Sequence, residues 1–351
     1  MNNITLKSIK CESVKSIFNT IADADKISRA AISEKTDLSL VTVGKVVDAL
    51  LDMKVILQAK EVKAKAGRRA GMLKVNSDRY AAILDITSYD FHIAILNLRL
   101  QMVDKFIYKR KPDLSFDDSF YHLFYDAAGY VEHAYKLKNC FGVGVSCPGP
   151  YNAETDSVST FRIPELCQMN IRESLELYFK DIPIMIDSHI NAAARSNIMY
   201  IDNYKEKNIV YWYIGERYVC GAFAVKGDVI LGRDHMACEF GKMPSLRGLS
   251  LEDRINLARC PEDYASALAI PMYTIIKILN PHAFIIECDM PSSYEDIMPL
   301  LKEELIRALQ YDATALPEFH KACCKYRNSH RGLTMGLRDM WIDKLVFGAD
   351  S

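Results

Sequence analysis

No apolar run in this chain of 351 residues approaches the roughly 18 residues that a membrane-spanning helix needs. Its first residues, MNNITLKSIKCESVKS, lack the continuous apolar stretch of a secretory leader. Both absences lead to the expectation of a cytoplasmic protein. The ten cysteines include no Cys-x-x-Cys pair, and the adjacent Cys323-Cys324 has the wrong spacing for a zinc knuckle. Cys147, Cys220 and Cys288 lie in apolar, strand-like contexts, where cysteine behaves as a small hydrophobe. Reduced thiols are therefore expected, not a disulfide framework. Net charge is nearly absent too, at −1. With half its residues hydrophobic and a quarter charged, the chain has an ordinary globular balance and enough length for two or three domains.

The small net charge hides an asymmetry. Residues 1–80 carry 15 Lys+Arg against 9 Asp+Glu, a surplus of +6, and the remainder carries 29 against 36, or −7. A basic head on an acidic body suggests that only the head meets a polyanion.

Within that head, Ile9, Val14, Ile17, Phe18 and Ile21 recur at helical spacing. Ser28 is placed to cap a short helix running through Lys35, with Ala31 and Ile32 turned inward. The turn Thr36-Asp37-Leu38 leads to Ser39, a second N-cap, and the next helix buries Val43, Val46, Val47 and Leu50. Val41, Thr42, Gly44 and Lys45 are left outward. Two short helices joined by a tight turn form a helix-turn-helix, whose second helix enters the major groove by its N-terminal residues. Gly44 costs roughly 1 kcal/mol against Ala in a helix, and either close approach to a phosphate or simple tolerance accounts for it.

The stretch VILQAKEVKAKAGRRAGMLKVN then reads as two strands around a basic tip, a winged variant. Lys60, Lys63, Lys65, Arg68 and Arg69 lie within ten positions, and Gly67 and Gly71 bracket the arginine pair. Arginine suits insertion into a narrow minor groove. The expected DNA contacts are Ser39, Thr42, Gly44, Lys45, Lys63, Lys65, Arg68 and Arg69.

From Tyr80 onward, hairpins and strand-helix units appear twice, which suggests a duplicated α/β body with a cleft between lobes. AAILDITSYDFHIAILNLRL and NIVYWYIGERYVCGAFAVKGDVI read as hairpins, NCFGVGVSCPGP and IPIMIDSHINAAARSN as strand units, and HAFIIECDM as a late strand after the helix AIPMYTIIKILN. The wing's Gly-Arg-Arg, the strand from Gly142 to Gly149, Asn191-Ala-Ala-Ala194 and Glu239-Phe-Gly241 stand in an order that resembles the ROK family (repressor, open reading frame, kinase). The resemblance implies an α/β chain: an N-terminal winged helix-turn-helix over residues 1–78, then a two-lobed actin-like (sugar kinase/ribonuclease H-like) ATPase fold over 79–351. The lobes are expected at about 79–185 and 186–330, with a C-terminal helix near 331–348 packing back on the first.

Measured against that family, the catalytic parts are degraded. Its first phosphate loop resembles Asp-x-Gly-Gly-Thr, whereas this chain has Asp85-Ile86-Thr87-Ser88-Tyr89. Its second, Gly-Thr-Gly-x-Gly, is here Gly215-Glu216-Arg217-Tyr218-Val219. Where a late glycine run receives adenosine, Glu287-Cys288-Asp289 puts carboxylates that would repel a nucleotide. The Asn-Asp pair that carries the family's catalytic base is Ser188-His189. Histidine can serve as a base, but without a phosphoryl donor it has nothing to serve. The Glu-x-Gly-His motif keeps Glu239 but has Lys242 for the histidine. The zinc loop keeps only its tail, with Ser250 at the last cysteine position before Leu251-Glu252. No metal and no cofactor are expected.

What the resemblance leaves is a group that can still meet a small molecule: Ser188, His189, Glu239, Lys242 and Glu252. The expectation is a DNA-binding transcriptional regulator, a repressor, whose kinase-like body binds a sugar or sugar derivative and forms a homodimer or tetramer. Two alternatives stay open, an active sugar kinase with a regulatory head and a ligand-independent DNA-binding dimer.

Overall fold

Serine caps start the helices of the head. Ser28 accepts a hydrogen bond from the Ala31 N–H at 3.2 Å, and Ser39 accepts one from Thr42 at 3.1 Å. Between them Asp37, in the left-handed region at φ 54°, turns the chain. The computed structural model describes residues 9, 11–59, 71–87, 90–109, 113–160, 163–215, 218–245, 248–309, 316–323 and 328–348. The head has helices α1 (Cys11–Asp23), α2 (Arg29–Thr36) and α3 (Leu40–Asp52), then strands β1 (Ile56–Gln58) and β2 (Leu73–Val75). These strands pair antiparallel, Ile56 opposite Val75, and Ile27 adds a further rung through two backbone bonds to Leu73 of 3.0 and 2.8 Å. Val14, Ile17, Phe18, Ile32, Val43, Val46, Val47 and Leu50 close the core of this small winged fold. Lys63, Lys65, Arg68 and Arg69 lie outside the described residues.

The chain divides into two compact units, one of Met1–Ser146, Arg162–Ile186 and Leu333–Ser351, the other of Cys147–Phe161 and Asp187–Gly332. The first sheet has strands β3 (Tyr80–Ile86), β4 (Asp90–Asn97), β5 (Met102–Lys109), β6 (Cys140–Cys147) and, after the short pair β7 (Tyr151–Asn152) and β8 (Ser157–Val158), β9 (Ile184–Ser188). Its order is β5-β4-β3-β6-β9. The meander β3-β4-β5 is antiparallel, and β3 meets β6 in parallel. Every residue of β6 is buried, as expected for a central strand covered on both faces. Helices α4 (Phe116–Tyr135) and α5 (Ile171–Glu176) complete this part.

After helix α6 (His189–Ile198) the second sheet follows: β10 (Asn208–Gly215), β11 (Val219–Val225), β12 (Asp228–Val229), β13 (Ala283–Asp289) and β14 (Glu318–Lys321), in the order β12-β11-β10-β13-β14. Period-two alternation sends adjacent residues of β10 to opposite faces. Tyr211 joins Ala193 and Ala194 of α6, while Trp212 joins Phe240, Leu268 and Phe284. Helices α7 (Leu251–Leu257), α8 (Pro261–Leu279) and α9 (Tyr294–Ala308) cover the Trp212 face. α8 is longer than the stretch AIPMYTIIKILN read as its body, and starts on Pro261, where a missing N–H costs nothing.

The last helix, α10 (Asn328–Phe347), supplies the first unit's contact with the head. Buried Arg338 donates from Nη1 to the Leu98 carbonyl at 3.0 Å, and its guanidinium lies 5.4 Å from the centre of the Phe18 ring. Asp343 accepts from Lys15 Nζ at 2.9 Å and from the Cys11 thiol at 2.7 Å. A further ion pair, Arg99–Asp25 at 3.1 Å, ties the β4–β5 turn to the chain after α1. A cavity of about 920 Å³ lies beside this seat, lined among others by Cys11, Lys15, Arg172, Asp343 and Lys344. None of these is among the ligand residues read from the sequence.

Candidate functional site

On α3 the inward stripe is fixed by the core, which leaves Leu40, Val41, Gly44 and Lys45 to the outer side of its first turns. Val41 is 69% exposed and Leu40 59%. The hydroxyls of Ser39 and Thr42, 3.0 Å apart, share a hydrogen bond within the cap. One turn further on, Asp48 pairs with Arg29 of α2 at 2.6 Å. A Cβ added at Gly44 would find its nearest neighbour, Arg29 Nη1, at 3.8 Å, so packing within the chain does not require glycine there. Sequence reasoning passed over Leu40, the first residue after the Ser39 cap.

The two phosphate turns are filled differently. At the first, Thr87 spends its hydroxyl on the β3–β4 turn, donating to the Asp90 carbonyl at 2.6 Å and accepting from the Asp90 N–H at 3.0 Å. Ser88 and Tyr89 lie outside the described residues. At the second, Glu216 and Arg217 also lie outside, but the flanks are defined. Tyr213 stacks on Tyr218 with centroids 4.8 Å apart and planes at 19°. The Tyr213 ring covers Gly215, where an added Cβ would sit 2.6 Å from Cε1. An aromatic pair thus covers the turn that the sequence sets against a glycine-rich phosphate loop.

Glu287 needs a reading different from the sequence expectation of a carboxylate facing a nucleotide. It is buried, and its Oε2 accepts from the Tyr211 hydroxyl and from Asn328 Nδ2, the latter at 2.8 Å. That carboxylate joins strands and helix inside the fold. Asp289, at the strand end, accepts from Tyr213 at 3.2 Å.

Ser188 and His189 sit where β9 ends and α6 begins. Ser188 is the N-cap, accepting from the Asn191 N–H at 3.1 Å, so part of its hydrogen-bonding capacity is structural. Asp187, one residue earlier, is buried and receives Arg195 Nε and Nη2 on Oδ2 at 3.2 and 3.1 Å, with the Ser188 N–H on Oδ1 at 2.8 Å. Burial raises its carboxyl above the usual range, although Arg195 and the hydrogen bonds oppose the shift. Arg195 was missed in the sequence. Its signal is an arginine two turns into a helix that follows an aspartate at a strand end. His189, half-buried, is the first helical residue.

The other three ligand residues lie around a short 3-10 turn, Phe240–Lys242. Phe240 packs edge-on against Trp212 at 5.5 Å, so this turn and α6 rest on opposite faces of the second sheet. Gly241 allows the turn to touch β11, since a Cβ there would lie 2.2 Å from the Val219 carbonyl oxygen. Half-buried Glu239 precedes the turn. Lys242 reaches Glu252 with an Nζ–Oε2 distance of 2.8 Å, the lysine side chain 56% exposed and the glutamate 13%. This bond ties the turn to the second helical residue of α7.

Ser250, at the family's last zinc-cysteine position, caps α7 in a reciprocal box with Asp253. Backbone bonds Ser245 N–H to Leu249 O and Leu251 N–H to Met243 O hold the loop ends at 2.7 and 2.9 Å. A lysine and a hydroxyl are the wrong donors for zinc. Among the described residues no group of three or more His, Cys, Asp or Glu could hold a metal ion, and no helix is long and apolar enough to cross a membrane.

No family model matches the chain. It is 26% identical over 207 residues to a xylose repressor of Caldicellulosiruptor bescii, an alignment covering 57% of this chain. The chain spans about half the length of that repressor, 50%. Its fold matches a ROK family transcriptional regulator, a homologue of the E. coli MLC protein, with TM-score 0.70 and 14% identity over 98% of this chain and 99% of that one. A ROK hexokinase from Thermus thermophilus matches with TM-score 0.58 and 17% identity over 73% of this chain and 97% of that one. The first structure aligns along nearly all of this chain, the second along about three quarters. Together these likenesses bear out the resemblance to the ROK family: the regulator shares the fold along nearly the whole chain, winged head and actin-like body, and the hexokinase along about three quarters of it.

Proposed function

We propose that this chain, related in sequence to a xylose repressor and built on the ROK regulator fold, is a cytoplasmic DNA-binding repressor whose kinase-like body no longer phosphorylates sugars. The observation that carries the reading is α3, a recognition helix capped by Ser39 that keeps one face of its first turns, with Leu40, Val41 and Lys45, clear of the core. Residues 1–78 act as the head and 79–351 as the body. Lys63, Lys65, Arg68 and Arg69 supply salt-dependent affinity for phosphates, and the outer face of α3 supplies the choice of sequence. The body dimerises, so that two heads read a pseudo-palindromic operator.

Loss of kinase activity is supported by the aromatic pair Tyr213–Tyr218 over Gly215 and by Thr87 spending its hydroxyl on its own turn. The body's remaining role is to bind an effector, a sugar or sugar derivative, through Ser188, His189, Glu239, Lys242 and Glu252. Hydroxyl groups of such a ligand suit carboxylates and an imidazole. A ligand hydroxyl on Oε2 of Glu252 competes with Lys242 for that oxygen. The effector changes DNA affinity only by binding two states of the protein unequally.

The test is selection of genomic fragments by the purified protein, then anisotropy titration at two salt concentrations beside R68A/R69A. Tight binding to a few sites is expected, with the double substitution weakening it and reducing the salt slope by about 2. Equal, weak binding to all fragments by both proteins would overturn the reading. The active-kinase alternative is tested by ATP turnover across a hexose panel, where none is expected.

A further inference from the structure

The outer face of α3 carries unusually little hydrogen-bonding chemistry for a helix that must choose a sequence. Base edges in the major groove are commonly read by Arg, Lys, Asn, Gln, Glu or Asp, which pair with their donors and acceptors. At the N-terminal end of α3 the exposed positions are Leu40, Val41 and Lys45, with Gly44 half-buried beside them. The hydroxyls of Ser39 and Thr42 are bonded to each other and to the helix cap. Asp48, the next acidic group along this face, holds Arg29. Beside Lys45, the face shows two branched aliphatic side chains, at 59 and 69% exposure.

Such groups gain little from water and nothing from phosphates. The major groove offers them one apolar feature, the C5-methyl of thymine. The surface also has charge to fit that occupant, because the first 80 residues carry +6 in a chain whose remainder carries −7. Gly44 adds no side chain beside Leu40 on the next turn, where an added Cβ would meet only Arg29 Nη1, at 3.8 Å.

We infer that Leu40 and Val41 are specificity-determining residues that read thymine methyl groups in the operator. The inference rests on the DNA-binding reading above. Lys45 then supplies the polar contact of the same face, to a guanine edge or a phosphate. Discrimination comes from burying methyl against methyl, and each such contact is worth about a three- to fivefold change in affinity.

The experiment uses the full chain and a duplex chosen by that chain from a random-core library. A second duplex has every core thymine replaced by deoxyuridine, which removes the methyl and leaves the hydrogen-bonding edges. Wild type, V41A and L40A are titrated against both by anisotropy. The expected result is a wild-type preference for the thymine duplex of roughly ten- to twenty-five-fold, the product of the two contacts. V41A should lose its own share of that preference, about three- to fivefold, by weakening on the thymine duplex more than on the deoxyuridine duplex, and L40A should do the same for the methyl it meets. Equal affinity of wild type for both duplexes would overturn the inference while leaving DNA binding intact. Equal weakening of V41A and L40A on both duplexes would overturn it too, assigning the residues to the fold of the head. Concentration-dependent self-association that disappears in V41A, with no thymine preference, would give the face to a second copy of the chain. Failure of wild type to bind any duplex would remove the DNA-binding reading as well.

Discussion

Gly44 and Gly241 both lie in helical turns, but a side chain would meet different surroundings at each. At Gly44 the nearest atom to an added Cβ is 3.8 Å away, so G44A should stabilise the head by about 1 kcal/mol through helix propensity. If the backbone there approaches a phosphate, the same substitution lowers DNA affinity, which separates function from tolerance in one variant. At Gly241 the added carbon would lie 2.2 Å from a backbone oxygen of β11. G241A should cost about 3 kcal/mol, read as a lower urea midpoint for the second unit. Cysteine reactivity follows the same local logic. Burial first, and then the hydrogen bond to Asp343, push the Cys11 thiol up to about 11. Labelling at pH 8 followed by mass spectrometry should find exposed Cys167 and Cys323 modified well before Cys11. Because the folded thiol holds its proton above the unfolded value, Cys11 stabilises the fold below about pH 9, and that contribution fades as pH rises toward 11.

Single caps and stacks decide whether several elements form. S39A removes the acceptor for the Thr42 N–H and should cost the head about 1 kcal/mol in thermal unfolding. Losing the Tyr213–Tyr218 stack in Y218A should cost about 1 kcal/mol without restoring nucleotide binding. The caps were legible in the sequence, since Ser28 and Ser39 stand immediately before apolar stripes and their bonds span three residues. The hairpins were legible for the same reason, their alternation being local. Strand β14, EFHK, carries no such alternation and is set by pairing to β13 across an intervening helix, so nothing nearby announces it. At the proposed effector site the residue types could be read, but their partners could not. Lys242 chooses Glu252 because the loop between them is folded back by backbone bonds, and the charge of Glu287 is absorbed by Tyr211, 76 positions away in sequence.

At the scale of the whole molecule, the seat of the head on α10 is the feature least visible in sequence. Its contacts join residues more than 300 positions apart, Cys11 and Lys15 with Asp343. Both side chains of the Lys15–Asp343 pair are about one-third exposed, so D343A should cost only about 0.5 kcal/mol overall. Amide hydrogen exchange should quicken in Cys11–Asp23, while Leu40–Asp52, held by its own core, changes little. Arg338 has more at stake, because its buried guanidinium bonds the Leu98 carbonyl and packs on Phe18. R338A should lower the first unit's stability by about 3 kcal/mol, seen as an earlier thermal transition.

The chain has two tryptophans, and the fold has put one in each unit. Trp212 is sealed between Phe240 and Phe284, beside the turn that bears Lys242, so its emission should be blue-shifted. Trp341 is half-buried, near Phe141 and 5.8 Å from the Arg79 guanidinium, on the helix that seats the head. Each indole is thus a native fluorophore for a different event. With W341F the remaining signal follows the second unit and any sugar that disturbs it, and with W212F the light comes only from the part of the protein that carries the head.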